Sequence, residues 1–324
     1  MTFISYAQNF EDVMLWRALK HLDRGFYIDI GAYSPDADSV TRAFYERGWS
    51  GINIEPNPEL LQQLSERRSR DINLDFAISD QAGHGRMIIL DNPGLSTLDE
   101  AIAEVHLQSG YSARHLDVEI VTLKHVCDSY VPAGQPIHFL KVDVEGLEVQ
   151  VLRGNDWQSF RPWVVVVEAT VPMSQVESYE GWESILKDAD YRFCYADGLN
   201  RFYVAEEHFE LSSAFTYPPN VWDEFKTYAQ STAEAQALEA EEQRNRANTL
   251  AAAQARIDRL SDELSTQLEE NRLELKAKND ELGAERKKLQ SAKKKLGELQ
   301  GEAKRVAELE KSLERAEHEN RDLQ

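Results

Sequence analysis

The sequence predicts an α/β fold, a Rossmann-like doubly wound sheet, followed by a long α-helical coiled coil. Three observations predict it. Gly25-Phe26-Tyr27-Ile28-Asp29-Ile30-Gly31-Ala32 reads as a buried strand that stops at a glycine turn, with a carboxylate two residues before the turn. Gly51-Ile52-Asn53-Ile54-Glu55-Pro56 repeats the pattern as an apolar run ending in an acid. Strand, glycine turn, helix and acid-ended strand are together how such a sheet holds a nucleoside. The third observation is a composition break. No Trp, Phe or Tyr lies beyond Tyr228 and no Pro beyond Pro219, so the rear segment cannot build a globular core.

The elements follow in order. Asn9 to Lys20 carries Val13, Met14, Trp16 and Leu19 on one side of an amphipathic helix. A strand at Phe26–Ile30 is followed by a helix opened by Pro35-Asp36, running through Val40, Phe44 and Tyr45 and ended by Gly48. A strand at Ile52–Ile54 leads to a helix started by Pro58 and carrying Leu60, Leu61 and Leu64. A third strand is expected over Leu74–Ile78. Residues 80 to 135 are less regular. Short strands at Arg86–Leu90 and Val118–Leu123 flank a polar stretch with Gly94-Leu95-Ser96-Thr97, a place for a lid or substrate-binding region. Ile137–Val142 and Trp163–Val167 are nearly unbroken apolar runs, as expected of strands covered on both faces. After a helix near Gly181–Ala189, the runs Arg192–Ala196 and Phe202–Ala205 flank Asp197-Gly198-Leu199-Asn200, a hairpin signal.

Composition narrows the function. Of the 36 Lys and Arg and the 57 Asp and Glu, 18 and 36 respectively lie at or before residue 228, so that part carries −18 of the net −21. Such a surface repels phosphate backbones, and nucleic acid is excluded as the expected substrate. Cys127 and Cys194 stand alone without CxxC spacing, which suggests reduced thiols and a cytoplasmic location. No run reaches a membrane-spanning length, so any membrane association is expected to be peripheral.

Ligands of open α/β sheets bind beyond the carboxyl ends of the strands, and the polar residues there are the candidates. The turn after Ile30 has one glycine where dinucleotide folds have three, so no pyrophosphate needs a cradle. S-adenosylmethionine is therefore expected rather than NAD. Asp29, Gly31 and Ala32 follow or end the first strand, with Gly31 admitting the methionine part of the cofactor. Glu55 offers two oxygens to ribose hydroxyls. Ile78 and Ser79 stand where an adenine ring would lie between apolar atoms. Asp143, Glu145 and Glu168 form the acidic cluster nearest the sulfonium, and are the candidate catalytic residues for removing a hydroxyl proton. The three carboxylates could also hold Mg²⁺; this is the weaker reading, and no metal ligands are assigned. His115 and His125 are alternative bases, although a lone histidine is more often structural. Ser96-Thr97 reads equally as a turn.

Taken together, these residues resemble the FkbM family of S-adenosylmethionine-dependent O-methyltransferases, of the class I fold. The matching segments are Ser5-Tyr6-Ala7-Gln8 with Glu11-Asp12, Tyr27 to Ala32 with Ser39-Val40-Thr41, Gly51 to Pro56, Ala77-Ile78-Ser79-Asp80, Lys141-Val142-Asp143-Val144-Glu145-Gly146 and Val166-Val167-Glu168-Ala169. The resemblance covers about residues 3 to 210. It implies O-methylation of a hydroxyl on a sugar or natural product, and implies that Gln8, Glu11 and Asp12 fold back near the cofactor. Trp157 and Asp197 to Arg201 look like members of a subgroup found with bacterial polysaccharide enzymes.

The rear segment, from residue 229 to 324, reads as one helix. Leu268, Leu275, Leu282, Leu289 and Leu296 recur every seven residues, the mark of a coiled coil. The second seam position is poor, occupied by Asn271, Lys278 and Glu285 before Ala292 and Leu299. No capping signal precedes Gln324, which leaves open both a truncation there and further sequence beyond it. The expected whole is an enzyme methylating a bacterial polysaccharide or glycan precursor, a homo-oligomer through residues 231–324, in the cytoplasm and at the periphery of a membrane glycosyltransferase assembly. The alternatives are methylation of a small natural product and a non-catalytic coiled-coil scaffold.

Overall fold

The computed structural model describes residues 2–321; Met1 and the last three residues of the predicted coil, 322–324, lie outside the described residues. The elements in chain order are β1 (Phe3–Ser5), α1 (Glu11–Leu19), β2 (Phe26–Ile30), α2 (Arg42–Glu46), β3 (Ser50–Ile54), α3 (Pro58–Arg67), β4 (Ile72–Leu74), β5 (Phe76–Ser79) and β6 (Gly83–Leu90). There follow α4 (Glu100–Gln108), β7 (Ala113–Thr122), α5 (Leu123–Tyr130), β8 (Phe139–Val142), α6 (Glu148–Arg153), β9 (Val164–Glu168), α7 (Glu183–Asp188), β10 (Tyr191–Ala196), β11 (Asn200–Ala205), β12 (Phe225–Thr227) and α8 (Tyr228–Arg321).

Seven strands form the main sheet in the order β10-β11-β9-β8-β2-β3-β4. All pairings are parallel except those of β11, which runs antiparallel to β9 and β10. The order reverses beside β2, between β3 and β8, and this switch point is where an open sheet leaves a crevice. The central strands are apolar on both faces because helices cover both. Val164 to Val167 are wholly buried, as are Leu140 and Val142. One side packs Trp182, Leu186 and Val151 against the sheet, the other Trp49, Phe44 and Leu15. The hairpin turn between β10 and β11 is closed by the Asp197 carboxylate, which accepts the amides of Leu199 and Asn200 at 2.8 and 2.6 Å.

Three expectations differ from the structure. The strand expected over Leu74–Ile78 is two strands. Asp75 separates β4, which stays in the main sheet, from β5, which leaves to pair with β7. The helix expected from Pro35 begins only at Arg42, because the Ser34 hydroxyl takes the amides of Asp36 and Ala37 in a local turn and Asp38 adopts a positive φ of 54°. Finally, residues 80–135 are more ordered than expected. β6 and β7 pair antiparallel, with β5 beside β7, as a separate three-stranded sheet. α4 and α5 start there on Asp99 and Thr122 caps.

β1 pairs parallel with β12, and Asp12 anchors this edge. Its buried carboxylate accepts the Ser5 hydroxyl at 2.7 Å and the Tyr6 amide at 2.8 Å. Two compact units result, one ending at Gln236 and one beginning at Ala237. In the second unit α8 is one continuous helix, and Leu268, Leu275, Leu282, Leu289 and Leu296 are each more than half exposed. No helix among the described residues is long and apolar enough to cross a membrane.

Gly31 ends β2 at a φ of 79°, and a Cβ there would fall on the Asp143 carbonyl oxygen of the neighbouring strand end. A Gly31→Ala substitution is expected to cost about 3 kcal/mol or more in chemical denaturation; stability within about 1 kcal/mol of the parent would show that the strand ends do not meet this closely. Burial pushes the Asp12 carboxyl up to about 7, against about 4 when unfolded. Between about pH 4 and 7 the folded chain therefore binds more protons at Asp12 than the unfolded one, and stability falls as pH rises through that window. Tryptophan-monitored melting should decline more steeply with pH in the parent than in Asp12→Asn, whose neutral amide keeps the shape; parallel pH profiles would refute this.

Candidate active site

The carboxyl ends of β2, β3, β8 and β9 open into one cavity of about 600 Å³. Of the residues expected there, Gln8, Gly31, Glu55, Ile78, Asp143, Glu145 and Glu168 line it. Asp12, Asp29, Ala32 and Ser79 do not. Asp12 holds β1 as described. Asp29 is buried behind the turn, where it accepts the Thr41 hydroxyl at 3.1 Å and burial pushes it up to about 6. Ala32 is buried and donates its amide to Ile54. Ser79 turns its hydroxyl to Asp80, outside the cavity. Glu11 is also internal, joined to Asn200 at 2.8 Å. His115 and His125 are exposed on β7 and α5, away from the cavity.

Glu55 follows β3 and stands at the mouth of the turn. Its oxygens accept the amides of Tyr33 at 3.0 Å and Asn57 at 2.9 Å. Asn57 in turn caps α3, ahead of Pro58 at the first helical position. The acid is thus locked by backbone on both sides, and burial pushes it up to about 7. Each oxygen retains a lone pair for a hydroxyl donor. Phe76, Ala77, Ile78 and Met87 supply the apolar wall next to it.

The opposite wall is acidic. Asp143 follows β8, Glu145 stands two residues on at a positive φ of 52°, and Glu168 ends β9. One carboxylate oxygen from each lies within 4.8 Å of the other two. Burial raises Glu145 and Glu168, and the Asp143 charge raises them further. The Lys141 ammonium behind them donates to Asp143 and to Asn200, each at 3.0 Å. Burial alone would lower the lysine, but Asp143, Glu11 and Glu168 outweigh it and hold Lys141 above its ordinary value.

Tyr33, Thr170 and Met173, which the sequence did not single out, and the segment Asn92 to Leu98, within which Gly94 to Thr97 were expected in a lid or substrate-binding region, complete the cavity. Ser96-Thr97 is more than a turn. The Thr97 hydroxyl donates to the Glu145 carbonyl at 2.9 Å and accepts the Asp99 amide at 3.0 Å, which ties the inserted sheet to the acidic turn. Only its position between two predicted strands hinted at this.

A cavity at the switch point, a carboxylate after β3 and an acid-rich turn after β8 are the parts a nucleoside-bound methyl donor needs. The comparisons agree in kind. A family model of the methyltransferase FkbM domain matches residues 29–193, from Asp29 in β2 to the start of the closing hairpin. No curated protein matches the chain. With half of its length matched, and with the strand ends that frame the cavity inside the match, this chain belongs to the FkbM methyltransferase family.

Proposed function

We propose that this protein transfers a methyl group from S-adenosylmethionine to a hydroxyl of a sugar in a bacterial polysaccharide or glycan precursor. The observation that carries this is the pairing, in one cavity, of the backbone-locked Glu55 with the Asp143, Glu145 and Glu168 wall. The residues fit the donor: a carboxylate for two ribose hydroxyls, Phe76 to Ile78 and Met87 for a flat ring, and negative charge for a sulfonium. When bound, S-adenosylmethionine supplies a methyl group on a good leaving group. Glu55 then orients the nucleoside, and the acidic wall favours the positive end while its carboxylates take the acceptor's hydroxyl proton. The sugar acceptor rests on the family subgroup signals at Trp157 and Asp197 to Arg201. The helix α8, with its leucine stripe exposed, is read as a coil that joins copies of the chain, near a peripheral membrane glycosyltransferase assembly in the cytoplasm.

Calorimetry with S-adenosylmethionine or its demethylated product should show one site per chain, weakened about tenfold to a hundredfold by Glu55→Gln, which loses the charge that strengthens the hydroxyl bonds. Transfer of labelled methyl to a panel of glycans and small hydroxylated compounds then separates sugar from natural-product acceptors. Absence of binding by a folded protein favours a scaffold instead. Replacing Leu275, Leu282 and Leu289 together by lysine should reduce the sedimenting mass to that of one chain with cofactor affinity unchanged; an unchanged mass would remove the coil from the proposal.

A further inference from the structure

The acidic wall holds three converging carboxylates, more negative charge than the single sulfonium of the methyl donor offsets. Three carboxylates converge, yet only one of them has a cation. Lys141 bonds Asp143, and its other acceptor is the Asn200 carbonyl oxygen. Glu168 is 6% exposed, and its Oε2 accepts no hydrogen bond from the protein. Oε2 of Glu145 is equally buried and equally unpartnered. No lysine or arginine lines the cavity among the described residues. A buried carboxylate oxygen with neither donor nor cation is costly, by several kcal/mol for an ion, so this arrangement calls for a positive partner inside the cavity.

The geometry points to a divalent metal site: Asp143, Glu145 and Glu168 bind one hard cation, of the Mg²⁺ or Mn²⁺ class, through one oxygen each. Oxygens on opposite sides of a Mg²⁺ ion stand about 4.2 Å apart, given bonds of about 2.1 Å. The three oxygens here lie within 4.8 Å of one another, so small side-chain rotations close the set. The donors are all oxygen, and neither histidine nor cysteine lines the cavity, which disfavours zinc and copper. Three ligands leave half of an octahedron to water or substrate, as Mg²⁺ prefers. This reverses the balance read from sequence, in which Mg²⁺ was the weaker expectation. It also names the acceptor's chemistry, and here it rests on the functional reading above. A cation with open positions on the floor of the cavity takes two neighbouring hydroxyls of a sugar as a pair and makes the one it ligates more acidic. The acceptor class is therefore a vicinal diol.

The test uses the full chain, stripped with chelator, and titrates Mn²⁺ while free ion is followed by its paramagnetic resonance signal. Binding of the demethylated cofactor product is measured in parallel on every variant. One Mn²⁺ per chain, displaced by excess Mg²⁺, with affinity reduced at least tenfold in both Glu168→Gln and Asp143→Asn while both variants keep the parent's circular-dichroism spectrum, is the expected result. Lack of Mn²⁺ uptake by protein that still binds the product would overturn the metal site and leave the methyltransferase reading standing. Mn²⁺ uptake unchanged in both variants would place the ion on the acidic surface and equally overturn it. Uptake without product binding would sustain the metal site and remove the donor reading instead. If a variant loses that spectrum, Glu145→Gln is substituted and judged by the same loss of Mn²⁺ affinity.

Discussion

The buried ammonium of Lys141 is the constraint around which the site is organised. It lies in the middle of the sheet on β8, 3% exposed and beside Asp29 on β2. Water cannot solvate a charge at that depth, so the chain surrounds it with acceptors. Asp143 comes from the turn that follows the same strand, and Asn200 comes from the hairpin. The Asn200 amide passes the link to Glu11 on α1. One lysine thereby joins three parts of the chain that lie far apart in sequence. An unpaired ammonium here would leave Glu11 and Asp143 without a counter-charge, and the strand ends would lose their common reference point.

The cavity has two walls of different origin. One wall consists of strand ends and the turns that follow them, held by backbone hydrogen bonds and by the close approach of Gly31 to Asp143. The opposite rim comes from the inserted sheet, chiefly Asn92 to Leu98, and from Thr170 and Met173 after β9. Thr97 is the stitch between them, because its hydroxyl fixes the carbonyl of Glu145. A rigid half built from strand ends beside a half built from loops is a common division in α/β proteins, since loops tolerate change and strand ends do not.

How much of this could be read from the chain depends on the kind of signal. Apolar runs are unambiguous when covered on both faces, and β2, β3, β8 and β9 stand within two residues of their expected bounds. Strand-end acids were legible because position in an open sheet implies access to the crevice, as for Glu55, Asp143 and Glu168. Asp29 shows the limit of that rule. It alternates inward along β2 and meets Thr41 rather than the cavity. Asp12 and Glu11 were placed near the cofactor by family resemblance, yet both are spent on internal hydrogen bonds. The inserted sheet stayed obscure because β5 follows β4 with only Asp75 between them, and no local pattern says that a chain changes sheets. α4, α5 and α6 were not read from the sequence.

The separation of the two walls has an evolutionary side. Residues 80 to 122 hold β6, α4 and β7, outside the main sheet, and meet the acidic turn through the Thr97 hydroxyl and the Ile102 side chain, which stands where a Cβ on Gly146 would fall. The residues of β6 and α4 other than Met87 and Ile102 line neither the cavity nor that turn. Sequence drift there leaves the cavity intact, whereas reshaping its rim takes changes in two separate stretches, Asn92 to Leu98 and the segment of Thr170 and Met173, with a hydroxyl donor kept at position 97.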